Sequence, residues 1–194
     1  MKRIFDFSAS LVGLFLFSPL LILLSLLIKF TSKGTIFFIQ ERVGKNGVFF
    51  KMIKFRSMQM IQESNSTISV KGDMRITKIG SFLRKYKLDE FPELWNVLVG
   101  EMSLVGPRPD VPGYADKLKG ENRKILNLRP GITGPASLRY ANEECLLVTK
   151  ENPVKYNDEV IYPEKVRINL DYYYNNNLWV DIKIIFATIF RTSY

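Results

Sequence analysis

Leu11-Val12-Gly13-Leu14-Phe15-Leu16-Phe17-Ser18-Pro19-Leu20, continuing as LILLSLLI to Ile28, is apolar except at Gly13, Ser18, Pro19 and Ser25. Lys2 and Arg3 precede it, and Lys29 and Lys33 follow. Such a segment belongs in a bilayer. As a straight helix, its 18 residues would rise about 27 Å, close to the roughly 30 Å of hydrocarbon in a membrane. Pro19 has no N–H to offer the carbonyl of Phe15, so a kink is expected at Ser18-Pro19. Cations on both flanks give no inside-outside asymmetry, which fits a helix that enters and leaves on one face. Composition alone nevertheless favours a plain span. A cleaved leader fits less well, because the apolar run is long and no small-x-small site follows it.

The 194 residues are enough for one domain with its own core plus this segment. The chain contains no histidine, which removes the Ser-His-Asp triad, His-bearing zinc sites and an imidazole base. Cys145 is the single cysteine, so neither an internal disulfide nor a cysteine zinc cage can form. The negative charges of Glu143 and Glu144 beside it argue against a nucleophile, since a thiol attacks as its anion. A net charge of +9 calls for an anionic partner: phospholipid, a phosphorylated substrate or nucleic acid.

After the apolar segment, Thr35 to Met58 alternates aromatic and β-branched residues around Lys45-Asn46-Gly47, the pattern of a hairpin. Gln62 to Asp73 is polar and reads as a surface loop; its Asn65-Ser66-Thr67 sequon is taken as chance. Helices are expected over Ile79–Tyr86, Pro92–Val99 and Tyr114–Leu126. Near the end, Leu178-Trp179-Val180-Asp181-Ile182 runs on to Phe190 almost without polar residues. With Trp179 at its start and Lys183 and Arg191 able to snorkel, it reads as a helix lying in the membrane interface. The fold class is therefore α+β and mostly α, with one boundary near residue 31.

The chemistry is placed at Leu88-Asp89-Glu90, between a basic cluster and the apolar stretch beyond Pro92. Pro92 is tolerated in a first helical turn, so a helix starting near Asp89 would put that carboxylate where N–H groups and the dipole favour an anion. Neighbouring helical positions diverge by about 100°, which gives Asp89 and Glu90 different roles. Taken alone, the pair also reads as ordinary capping. Its company tips the balance: Lys54, Arg56, Arg75, Arg84, Lys87, Arg108 and Arg129 are all cations able to hold phosphate. Gly106-Pro107-Arg108-Pro109 and Arg129-Pro130-Gly131-Ile132-Thr133-Gly134 each set an arginine in a turn stiffened by Pro and Gly.

Together with Gln40-Glu41-Arg42-Val43-Gly44, Lys54-Phe55-Arg56-Ser57-Met58 and Arg75-Ile76-Thr77-Lys78-Ile79-Gly80, these motifs resemble, in order and over almost the whole chain, the bacterial sugar transferases. These are monotopic phosphoglycosyl transferases, and the chain resembles a small, minimal member. The resemblance implies that residues 1–31 form a re-entrant membrane helix broken at Ser18-Pro19, and that 32–194 form a catalytic domain on the cytoplasmic face of the inner membrane. It implies transfer of a sugar-1-phosphate from a UDP-sugar to polyprenyl (undecaprenyl) phosphate, with Asp89 as nucleophile and UMP released. Asp89 and Glu90 would hold Mg²⁺, and Lys54, Arg56, Arg84, Arg108 and Arg129 would bind phosphate.

After Gly134 the sequence departs from the Gly-Leu-Ala-Gln of many members and reads Pro135-Ala136-Ser137-Leu138. That change bears on the sugar rather than on the reaction. A membrane-tethered binding protein for nucleotide or anionic lipid, with Asp89 only a cap, is the rival from another class. Nucleic acid is set aside as a partner, because no nucleic-acid module accompanies the charge.

Overall fold

The computed structural model describes residues 1–59 and 75–192. The expected polar loop over Gln62–Asp73 and the Asn65 sequon lie outside the described residues. Helix α1 (Lys2–Thr31) comes first, followed by an antiparallel hairpin of β1 (Phe37–Val43) and β2 (Phe49–Phe55). Next come α2 (Lys78–Lys85), α3 (Glu93–Val99) and β3 (Ser103–Val105). The second half contains β4 (Gly131–Thr133), α4 (Pro135–Arg139), α5 (Glu143–Val148), α6 (Pro153–Tyr156), α7 (Tyr162–Asn175) and α8 (Leu178–Phe190). The fold is α+β and mostly α, as the sequence implied.

Helix α1 runs through Ser18 and Pro19 without interruption. The Ser18 hydroxyl donates to the Phe15 carbonyl at 2.8 Å, supplying the bond that Pro19 cannot. Both ends of the helix are fastened to the rest of the chain. At the N-terminal end Arg3 donates to the carbonyls of Val97 and Leu98, and Asp6 accepts from the Ser103 hydroxyl and the Leu104 N–H. Lys2 pairs with the buried Asp181 of α8. At the C-terminal end Leu24 and Ile28 are buried with Phe55 and Leu83, and Arg56 donates to the carbonyls of Ser32 and Lys33. Asp6, Ser10, Leu24 and Ile28 recur at helical spacing on this attached face. The outer face shows Val12, Phe15, Leu16, Leu23 and Phe30 to the surroundings, a large apolar area without cover from the protein.

Helix α8 repeats this division. Asp181, Ile184 and Ala187 are buried, whereas Trp179, Phe186, Ile189 and Phe190 are exposed. Asp181 also accepts from the Tyr172 hydroxyl, so the one carboxylate of this helix has two partners, as burial of charge requires.

The hairpin forms where it was expected, with Asn46 at φ 60° in its turn and Phe37 paired with Phe55 at its open end. The helix expected over Tyr114–Leu126 is instead two 3₁₀ segments, Ala115–Lys117 and Gly120–Asn127. Leu118 and Lys119 are extended between them, and Gly120 has φ +56°. That left-handed glycine cannot continue a helix from residue 117, and Arg123 bonds back to the carbonyls of Asp116 and Leu118.

Strands β3 and β4, unexpected from the sequence, pair in parallel, Ser103 with Gly131 and Val105 with Thr133. Gly106 N–H donates to the Thr133 carbonyl at 2.9 Å and Gly131 N–H to the Pro107 carbonyl at 2.8 Å. A Cβ on Gly131 would stand 2.1 Å from Gly106 N, and one on Gly134 would stand 2.1 Å from Gly106 O. The glycines are there because two backbones touch.

Candidate functional site

Strand β2, the turn before α3 and the loop after β3 converge on a cleft of about 870 Å³ that Lys54, Asp89, Glu90 and Arg108 all line. Lys54 stands on β2, and Asn96 locks that strand to α3. The Asn96 side chain accepts from Ile53 N–H at 3.1 Å and donates to the Lys51 carbonyl at 2.8 Å and to Glu101 at 2.7 Å. One turn earlier on α3, Glu93 is thereby held 3.0 Å from Lys54 Nζ. Asn96 is 1% exposed and Glu93 1%.

Asp89 and Glu90 lie in a short 3₁₀ turn, Leu88–Glu90, entered through Lys87 at φ 55°. The left-handed Lys87 ends the approach from α2 and turns the acidic pair into the cleft. Lys54 donates to Glu90 Oε1 at 2.9 Å, and Arg108 bonds the same oxygen. Burial opposes the charge on Glu90, but Arg108 and Lys54 outweigh it and hold the carboxyl below the ordinary glutamate range. Arg108 is correspondingly pushed up by Glu90. Asp89 differs. Among the described residues no ion pair or side-chain hydrogen bond joins it. Burial first, and then the Glu90 charge, raise its pKa, while Lys54 and Arg84 pull it back. Glu93 is also raised, by burial and by Glu90, against the pull of Lys54.

Of the expected phosphate binders, Lys54 and Arg108 meet the acidic pair directly. Arg84 lines the same cleft and pairs with Glu144 of α5. Arg56 is 3% exposed, and its guanidinium is engaged by Ser32 and Lys33 at the end of α1. Arg129 is not part of the cleft lining; its Nε donates to the Gly100 carbonyl at 2.8 Å. Arg75 and Lys87 line the cleft.

Several groups carry no assigned role in the sequence reading. Glu93 follows Glu90 by three residues, the helical spacing that puts two carboxylates on one side, and that was the available signal. Asp110, Arg42, Tyr162 and Lys165 gather farther along the cleft. Burial lifts Asp110 to about 6 although Lys165 and Arg42 oppose it. Burial, with Arg108 nearby, takes Arg42 down to about 10. Nothing local in the sequence joins residues 42, 110 and 165.

The family profile described as bacterial sugar transferase matches residues 1–193. The chain belongs to the bacterial sugar transferase family. As a sugar transferase it is 37% identical over 196 residues to a UDP-N-acetylgalactosamine-undecaprenyl-phosphate N-acetylgalactosaminephosphotransferase of Aeromonas hydrophila, across 97% of this chain and 42% of that protein. It is 36% identical to a UDP-glucose:undecaprenyl-phosphate glucose-1-phosphate transferase of Klebsiella pneumoniae, across 98% of this chain and 39% of that one. Exopolysaccharide production protein ExoY of Rhizobium meliloti (strain 1021) is 35% identical, with 97% of this chain and 83% of ExoY covered. The sugar transferase chain thus spans less than half the length of the first two relatives and most of the third.

Proposed function

We propose that this chain transfers a sugar-1-phosphate from a UDP-sugar to polyprenyl (undecaprenyl) phosphate, through a phospho-sugar covalently attached to Asp89. The observation that carries the reading is the asymmetry of the acidic pair: Glu90 is clamped by Lys54 and Arg108, whereas Asp89 lines the same cleft without a clamp. An Asp89 oxygen attacks the β-phosphorus of the donor. The bond from that phosphorus to the bridging oxygen breaks, and UMP leaves with the electron pair. An oxygen of the polyprenyl phosphate then attacks the same phosphorus, freeing Asp89 and forming the polyprenyl diphospho-sugar. Splitting one transfer into two displacements is the gain from a covalent intermediate. Arg108, with its side chain 46% exposed, keeps N–H donors toward the cleft for the phosphoryl oxygens, where charge is stabilised during transfer.

Mg²⁺ suits this site as a partner of the substrate. Among the described residues no group of three or more His, Cys, Asp or Glu side chains is placed to hold a metal unaided. Mg²⁺ is typically held by one or two carboxylates plus substrate phosphates. Asp89 and the Glu90 oxygen that Lys54 and Arg108 leave uncontacted supply those carboxylates. When bound, the ion would offset phosphate charge.

The carrier is a lipid, so the cleft must reach a bilayer. We read residues 1–31 as a re-entrant membrane helix and 32–194 as a catalytic domain on the cytoplasmic face of the inner membrane. The support is that both ends of α1 are bonded to the same domain. A plain span would carry one end across about 30 Å of hydrocarbon, away from the other. The exposed apolar faces of α1 and α8 would then sit in lipid.

The test is UMP release from detergent-solubilised protein with Mg²⁺, polyprenyl phosphate and a panel of UDP-sugars, beside Asp89→Asn. Release with one sugar, abolished in the variant while its melting temperature holds, is the expected result. Equal release from the variant would remove Asp89 from the chemistry.

A further inference from the structure

The buried polar atoms of the cleft lining without a hydrogen-bond partner among the described residues include Arg42 Nε, Arg56 Nε, Ser137 Oγ and Asn169 Oδ1. Asn169 is only 7% exposed. Buried polar groups are nearly always bonded, so unmatched ones that share a cleft mark a place for something that completes them. Ser137 and Asn169 belong to one wall, where α4 packs on α7. Along α7, Tyr162, Lys165 and Asn169 follow one another at three- and four-residue spacing, and all three line the cleft. The turn that delivers them, Asn157–Ile161, is a π-helix, and Asn157 lines the cleft as well. Such wide turns are rare and frequent at functional sites.

The chemistry of this wall differs from that beside Asp89. Lys165 is the one Lys or Arg that α4 and α7 contribute to the lining, and Glu143 already holds it at 2.6 Å. Asp110 faces the same lysine. On these two helices a phosphate would therefore find no uncompensated cation; Arg42 enters the cleft from β1. The wall offers neutral donors and acceptors, with a carboxylate at their edge, which match the hydroxyls of a sugar ring.

We propose that the α4–α7 wall is the subsite for a neutral, hydroxyl-bearing ring of the nucleotide sugar, with Asn169 and Ser137 as its hydrogen-bonding contacts. This rests on the reading of the cleft as the donor site. Two rings of the donor share that chemistry, the transferred sugar and the ribose, and the affinities of UDP-sugar and UDP tell them apart.

The experiment is calorimetric titration of the solubilised full chain with UDP-glucose, UDP-N-acetylgalactosamine, UDP and inorganic pyrophosphate. Wild type is compared with Asn169→Ala and Ser137→Ala. Ser137→Ala removes only a hydroxyl from a short helix, so it reports even where Asn169→Ala disturbs α7. Each variant should bind the UDP-sugar that wild type prefers about tenfold more weakly, the effect of one lost hydrogen bond, and pyrophosphate as wild type does. Unchanged UDP affinity then assigns the wall to the transferred sugar, and an equal loss with UDP assigns it to the ribose. UDP-sugar affinity within twofold of wild type in both variants would overturn the subsite, as would pyrophosphate weakening in step. Wild type that binds no nucleotide at all would instead remove the donor-site reading, and this inference with it.

Discussion

The loops 106–110 and 129–134 look alike in sequence, an arginine between prolines and glycines, yet their arginines are used in opposite ways. Arg108 enters the cleft and bonds Glu90, whereas Arg129 turns away and ties down the Gly100 carbonyl. The two loops lie against each other through β3 and β4, with Gly106 and Gly131 in backbone contact. Two backbones pressed together can aim only one of the two side chains into a given space. A rigid turn thus fixes where an arginine points without saying in which direction, and the direction is set by the partner loop.

The largest consequence concerns Arg108. Arg108→Ala should lower UMP release by about 100- to 1,000-fold, the scale of removing one donor to a developing oxyanion. It should also free Glu90, since one of its two clamps is gone. Arg129→Ala, assayed beside it, should retain most of the rate per folded molecule. If the two variants lose activity equally, the distinction between the loops fails.

The contact between the loops is next. Gly131→Ala places a methyl 2.1 Å from Gly106 N and 2.5 Å from Thr133 O, and neither backbone atom can swing aside as a side chain would. A destabilisation of about 3 kcal/mol is expected, the upper range for forcing atoms into a packed site, and a denaturant midpoint measures it. Because the same shift moves the loop bearing Arg108, activity should fall even under conditions where the variant stays folded. Arg129→Ala should cost less, about 2 kcal/mol, for a charged donor taken from a part-buried carbonyl.

How much of this was legible beforehand follows from the range of each interaction. The apolar run that becomes α1, the hairpin around Asn46-Gly47, and α2 and α3 follow from local periodicity and turn chemistry. Asp89 and Glu90 were legible because they are adjacent and their neighbours are basic. That Ser18 would bond the carbonyl orphaned by Pro19 was also a local matter, though it was not drawn from the sequence. The parallel pairing of β3 with β4 joins segments of three residues each, too short to carry a period. The same holds for Arg56, which reads as a phosphate binder in KFRSM and lines the cleft while also bonding the carbonyls at the end of α1. Its partner is 23 residues away and could be found only once the helix and hairpin were packed.

The smallest predicted effect separates the carboxylates of Glu90 and Asp110. Glu90 is held below its ordinary range by Arg108, while Asp110, just beyond Arg108 in the chain, rises to about 6 because burial dominates over Lys165 and Arg42. The sign follows from linkage. A carboxyl with a folded pKa above its unfolded value of 3.8 favours the protonated native state. Its ionisation imposes no penalty below the unfolded pKa, an increasing one as pH climbs from about 4 toward 6, and a constant one above. Asp110→Asn imitates the neutral acid, so it should stabilise the protein at pH 7.5 and leave it unchanged near pH 3.5. A shift of two units would correspond to roughly 3 kcal/mol. Because Asp110 is only half-buried, solvent should reduce the gain to about 1 kcal/mol. Thermal melting at the two pH values reads the difference. A variant less stable than wild type at pH 7.5 would mean that Lys165 and Arg42 hold Asp110 as an ion, and that the wall beyond Arg108 is built on charge, as the Glu90 clamp is.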